Sequence, residues 1–200
     1  NGRPTTVCRP NLVRLRREYG LEGRLAAAGK LAEILSREGA EVEVVEEPGA
    51  VRLIEAPPLA QLPAFQGGLF QPQDVTSQRI ALELAPAAGE RILDLCAGLG
   101  TKTTQLAELA LDQAEIYAAD RQPEKLERLR ANAARLGLSS IRTVSLDELA
   151  QPAYQSFFDA VLVDAPCSNS GVFARRAEAR WRIKGEDFAA LARGAGELLD

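Results

Sequence analysis

The chain has 200 residues, 46% of them hydrophobic and 26% charged, with a formal net charge of −4. No apolar run approaches the ~18 residues of a membrane span, so a soluble, globular protein of one large or two small domains is expected. Histidine is absent, which excludes a Ser-His-Asp triad, a His-Glu-x-x-His metal site and any imidazole acid or base, and leaves Asp, Glu, Lys, Tyr and Cys to carry the chemistry.

The first seventeen residues carry Arg3, Arg9, Arg14, Arg16 and Arg17 with no acid. A helix is predicted near 21–38, with Leu25, Leu31, Ile34 and Leu35 near helical spacing and Gly39 as its stop. Two β-like runs follow, Glu41 to Glu46 and Val51 to Glu55. The segment from Ala56-Pro57-Pro58 to Leu62-Pro63 reads as a connector, and a domain boundary is expected between about 56 and 75. Asp74 is a candidate N-cap for a helix that carries Ile80, Leu82 and Leu84 to Pro86.

From there strand and helix alternate. Strands near 91–95, 115–119, 141–145 and 159–163 and helices near 102–110 and 123–136 give the βαβ rhythm of a parallel, doubly wound α/β sheet. The last run, Ala160 to Val163, is apolar on both faces, as a central strand should be. The chain ends at Asp200, inside a helix starting at Glu186 or Asp187, with nothing left to pair with the far side of that strand. Methionine is missing even at position 1, and both features point to a piece of a longer protein.

Two strand ends carry the candidate chemistry. The first opens a Gly-rich turn, Cys96-Ala97-Gly98-Leu99-Gly100-Thr101-Lys102-Thr103, whose glycines let a ligand approach the backbone at a helix N-terminus. A dinucleotide site would require a third glycine where Thr103 stands, and a phosphate loop of the Walker type would require Gly-Lys-Thr where Thr101-Lys102-Thr103 stands. An oxidoreductase reading fails on that missing glycine and on the lack of a visible hydride-transfer acid. S-adenosylmethionine (SAM) carries no phosphate and needs instead an acid for its ribose. Asp120 lies twenty residues after Gly100, the spacing of such an acid, although it also suits an N-cap ahead of Pro123.

The second strand end is Asp164-Ala165-Pro166-Cys167-Ser168. Pro166 fixes the approach to Cys167, and the polar neighbours suit a reactive thiol, whereas Cys96 reads as a small packing residue with backbone contact to a ligand. The three cysteines, at 8, 96 and 167, form neither an even set nor a Cys-x-x-Cys pair, and no charged-then-apolar leader is present, which implies a cytoplasmic location and no metal. A second basic cluster, Arg175, Arg176, Arg180, Arg182 and Lys184 around Trp181, faces only Glu178 as an acid. Either basic cluster alone is what a solvated face looks like; both together favour RNA.

Asp164-Ala165-Pro166-Cys167-Ser168-x-x-Gly171-Val172, followed by Arg175 and Arg180-Trp181-Arg182, resembles the signature of RNA cytosine-5 methyltransferases of the Sun/RsmB type. Asp94-Leu95-Cys96-Ala97-Gly98-x-Gly100-x-Lys102-Thr103 is similar to that family's SAM loop. Gly68-Leu69-Phe70 and Gln73-Asp74-x-x-Ser77-Gln78 are similar to the segment leading into its catalytic domain. The resemblance covers most of residues 60–200 and implies a Rossmann-like methyltransferase domain over 61–200, with an RNA-binding extension over 1–60.

It implies further that Cys96, Ala97, Gly98, Leu99, Gly100, Thr101 and Lys102 line the SAM pocket, that Asp120 holds the ribose, and that Asp147 sits near the adenine. Asp164 would face cofactor and base, Cys167 would assist product release, and Arg175, Arg176, Arg180, Trp181 and Arg182 would contact ribosomal RNA. The family's nucleophile lies in a Thr-Cys motif on a following strand, which is not in this chain, so the chain alone is expected to lack turnover and to act as a SAM- or RNA-binding module. Departures from the pattern are Leu99 for Pro, Thr101 for Gly, and Ala174, Arg176 and Ala177 for Arg, His and Pro.

Overall fold

The computed structural model describes residues 5–165 and 196. The chain divides into two compact units, 1–162 and 163–200. The first unit opens with β1 (Thr6–Pro10), α1 (Leu12–Tyr19), α2 (Arg24–Arg37), β2 (Glu41–Val45) and β3 (Ala50–Glu55). A short α3 (Pro63–Gln66) then leads to β4 (Phe70–Pro72). These strands make an antiparallel sheet of order β2-β3-β1-β4.

Helix α2 covers that sheet with Ala27, Ala28, Leu31 and Leu35, which pack with Cys8, Val51, Leu53 and Phe70 in one buried cluster. Leu25, expected on the same face, is 54% exposed. It lies six residues before Leu31, roughly 120° around the helix from the buried stripe. Sequence reading missed β1, α1 and β4. Arginines and prolines interrupt β1 and β4, and both strands are completed by pairing with distant segments, Cys8 with Val51 on one side and Pro72 on the other.

The rest of the unit follows the α/β order: α4 (Val75–Leu84), β5 (Arg91–Asp94), α5 (Thr101–Leu109), β6 (Glu115–Ala118), α6 (Pro123–Leu136), β7 (Ile141–Thr143), α7 (Leu146–Leu149) and β8 (Ala160–Leu162). Asp74 caps α4, accepting from the Thr76 amide at 2.9 Å. Its buried face is Gln78 and Ala81, while Ile80 is 40% exposed, because Ile80, Leu82 and Leu84 follow a two-residue spacing that a helix does not keep on one side.

The second sheet is parallel, in the order β7-β6-β5-β8. Ile92 and Ile116 meet Leu106, Ala107 and Leu136 on one face. Leu93 and Tyr117 meet Tyr154, Phe157 and Phe158 on the other. Burial on both faces accounts for the continuous apolar runs. Strand β8, expected in the interior, pairs only with β5 among the described residues, and Val161 is 50% exposed.

A polar seam joins the two sheets. Arg9 on β1 is 5% exposed and ion-paired at 2.9 Å with Glu108 on α5, itself 1% exposed. Burial pushes the Glu108 carboxyl up, against the pull of the Arg9 guanidinium beside it. Asn11 donates at 2.8 Å to the carbonyls of Gly68 and Leu136, and Arg135 reaches the Phe65 carbonyl at 2.7 Å.

At the turn between α5 and β6, Leu111 and Asp112 both have positive φ, 53° and 60°. The Asp112 carboxylate holds this turn against the end of α6, accepting from the amides of Ser139 and Ser140 and from the Ser139 hydroxyl. Partial burial raises its carboxyl, but the bonds from Ser140 and Ser139 outweigh that and the net shift is downward. A depressed carboxylate pKa stabilises the fold above the ordinary value and loses that effect as pH falls through the folded-state pKa. Asp112→Asn is therefore expected to cost about 1 kcal/mol at neutral pH, after allowance for solvent. Urea unfolding should show the gap to the parent closing below about pH 4.

Candidate functional site

The parallel sheet brings its strand ends together. Strands β5 and β6 pair with Asp94 opposite Ala118, and the ladder continues past both ends, with the Ala119 amide on the Asp94 carbonyl and the Ala97 amide on the Ala119 carbonyl, each at 2.9 Å. The order reverses at β5, whose neighbours are β6 on one side and β8 on the other. In open α/β sheets ligands bind outside the carboxyl ends of the strands at such a reversal.

The turn after β5 is tightly built. Gly98 has φ +56° and Gly100 φ +83°, and Gly100 is the N-cap of α5. A Cβ on Gly100 would lie 2.4 Å from Cγ of Leu129, a fully buried residue of α6. Thr103, standing where a third glycine would be, is buried and donates its hydroxyl to Asp94 Oδ2 at 2.7 Å. Cys96 and Lys102 are half-buried, Ala97 is buried, and Leu99 is 43% exposed.

Asp120 ties this turn to the next helix. Its Oδ2 accepts from the Gly98 amide and its Oδ1 from the Gln122 amide, both at 2.9 Å, with Lys125 Nζ 3.6 Å from Oδ1. The N-cap of α6 is Gln122, so Asp120 does not occupy the capping position that its distance from Pro123 allowed. An ionised carboxylate has about four acceptor positions. Two amides leave room for further donors.

Asp120 and Asp147 line one open cavity of about 410 Å³. Leu126, Val144 and Leu146 supply apolar wall, and Arg130 also lines the cavity, donating to Thr143 Oγ1 at 2.5 Å. Asp147 is exposed in the first turn of α7. Sequence reasoning found the two carboxylates but missed Arg130 and the apolar wall, which look like ordinary helix and strand residues until α6 and β7 are adjacent.

Of the other predicted site residues, Asp164 belongs to the second unit and is exposed. Cys167, Arg175, Arg176, Arg180, Trp181 and Arg182 lie outside the described residues, as does the helix expected from 186 except for Gly196, which is helical. Among the described residues no cluster of three or more His, Cys, Asp or Glu side chains could hold a metal, and no helix is long and apolar enough to cross a membrane.

A parallel sheet with a Gly-rich turn after one strand and an acid after the next is the Rossmann-like fold of methyltransferases. The same fold is found in NSun6 from Pyrococcus horikoshii, solved with SFG, at a TM-score of 0.80 and 20% identity over 96% of this chain and 70% of that one. A methyltransferase homologue from the same organism matches at a TM-score of 0.67 and 27% identity, over 86% of this chain and 54% of that one.

Residues 81–200 match the family described as 16S rRNA methyltransferase RsmB/F, and the chain belongs to that family. Ribosomal RNA small subunit methyltransferase B of Pasteurella multocida is 39% identical over 166 residues, 79% of this chain. The protein of that name from Salmonella paratyphi B is 40% identical over 156 residues, 76% of this chain. In both cases the match covers 36% of the relative's length.

Gly100→Ala tests the turn. A side chain there meets the left-handed backbone penalty, about 1 to 2 kcal/mol, and the crowding of a packed core, about 1 to 3 kcal/mol more. A loss of about 2 to 5 kcal/mol in urea unfolding is expected.

Proposed function

We propose that the chain is the cofactor-binding part of an enzyme that transfers a methyl group from SAM to carbon-5 of cytosine in small-subunit ribosomal RNA. In this reading residues 1–60 extend the methyltransferase domain of 61–200 toward RNA. The observation that carries it is the double engagement of Asp120, which fixes the Gly98 amide while lining the cavity shared with Asp147. A ligand with ribose hydroxyls and an adenine fits these carboxylates and the apolar wall.

In this reading residues 96–102 give the cofactor a close backbone surface, Asp120 accepts from its ribose, and Asp147 lies by its adenine. When bound, SAM supplies an electrophilic methyl group. Carbon-5 of cytosine is a weak nucleophile and needs a thiolate added at carbon-6 first. After methylation, loss of the carbon-5 proton expels the thiolate and restores the ring. Asp164 would hydrogen-bond the cytosine ring, Cys167 would assist product release, and Arg175, Arg176, Arg180, Trp181 and Arg182 would hold unstacked RNA by phosphate contact and stacking.

The sequence contains no Thr-Cys pair, the motif that bears the expected nucleophile. This favours a second statement within the same reading: the 200-residue chain alone binds SAM without turnover. Isothermal titration should detect SAM binding, weakened in Asp120→Ala by about 1 to 3 kcal/mol for the lost hydrogen-bond partner. Unchanged affinity would remove Asp120 from the site. Methyl-tritiated SAM and ribosomal RNA should give no transfer with this chain. Transfer that Cys167→Ser abolishes would make Cys167 the nucleophile instead.

A further inference from the structure

The Arg9 guanidinium ends against α5, where its N–H donors find a complete set of acceptors. Nε and Nη2 bond to Glu108 Oε2 and Oε1 at 2.9 Å each, Nη2 also to Thr104 Oγ1 at 3.1 Å, and Nη1 to the Thr101 carbonyl at 2.9 Å and to Gln73 Oε1. An arginine has five such donors, so the group is fully satisfied in a buried place. Gln73 is held in turn, donating at 2.6 Å to Gln105 Oε1, and Gln105 donates at 2.8 Å to the Gln78 carbonyl.

Anchoring the antiparallel sheet to α5 would require only the two bonds to Glu108. The bonds to Thr101 and Thr104 do something different, since both residues belong to the first turn of α5, directly after Gly100. Thr104 also donates its hydroxyl to the Thr101 carbonyl at 3.2 Å, so the two acceptors are braced against each other. Another tie between the sheets, Asn11, bonds to Gly68 and to Leu136 at the far end of α6, away from this turn.

We propose that Arg9 is a positioning residue for the cofactor turn: by gripping the Thr101 carbonyl and the Thr104 hydroxyl from a base fixed on Glu108, it sets the first turn of α5 and makes the antiparallel sheet a working part of the cofactor site. The consequence for the cofactor rests on the SAM reading above. The grip on the turn does not.

The test compares Arg9→Lys with Asn11→Ala in the full chain. A lysine keeps a charge for Glu108, but its compact ammonium has three donors and cannot span the acceptors that the planar fork reaches. Two quantities are read, SAM affinity by titration and amide hydrogen exchange over residues 98–105 without ligand. Arg9→Lys should weaken SAM binding by about fivefold or more, within the usual range of coupling through a packed network. It should also speed exchange in that segment by roughly tenfold. Asn11→Ala should leave affinity within about twofold and the segment's exchange unchanged.

Parent-like affinity and exchange in Arg9→Lys would overturn the proposal. So would equal changes in Asn11→Ala, which would mark a general loosening. If Arg9→Lys does not fold, Thr104→Val, which keeps the ion pair and deletes one gripped acceptor, should speed exchange over 98–105, and parent-like exchange there refutes the grip. If the parent chain fails to bind SAM, the cofactor reading falls alone, and the exchange measurement still decides whether Arg9 holds the turn.

Discussion

Parallel pairing of β5 with β6 is the constraint from which the site follows. With Asp94 held opposite Ala118, the next residues of each strand emerge side by side, and the Gly98 amide comes within 2.9 Å of the Asp120 carboxylate, which is 22 residues further along the chain. Gly98 and Gly100 take the left-handed backbone of the turn at no Cβ penalty, and the Gly98 amide is thereby aimed at the Asp120 carboxylate. The same carboxylate lines the cavity that α6, β7 and α7 enclose.

The second feature is the way charge is buried where the two sheets meet. An ion pair removed from water gains little net stability unless its remaining donors and acceptors are used, and Arg9 and Glu108 come close to that condition. Five acceptors surround one guanidinium, and Gln73, Gln105 and Gln78 continue the chain of bonds from α5 to α4. An apolar contact would hold the sheets together without fixing their angle, whereas a saturated arginine is satisfied in one orientation only. The seam therefore transmits the position of β1 to the start of α5.

Much of the α/β part was legible in the sequence because its signals are local. Ile92-Leu93 and Ile116 to Ala118 are apolar runs buried on both faces, Pro123 and Gly137 bound α6, and the spacing from Gly100 to Asp120 follows from one strand and one helix between them. The antiparallel sheet was only half legible. Strands β2 and β3 have apolar runs of their own, but β1 is defined by partners some 45 and 60 residues away in the chain, and Arg9 within it reads as surface charge. Leu25 and Ile80 failed in the opposite sense, since apolar residues at the wrong angle on a helix remain exposed.

By itself the sequence determined the class of fold and the family resemblance, and it singled out Asp120 and Asp147, because glycine conformations, strand periodicity and short motifs are properties of neighbouring residues. Only the tertiary structure decided that Arg9 lies inside the molecule on Glu108, that Thr103 is spent on Asp94, and that Arg130, Val144 and Leu146 share a cavity with Asp120. Those are contacts between residues that the chain separates and the sheets bring together. Their chemistry depends on the loss of water around them, which no linear pattern records.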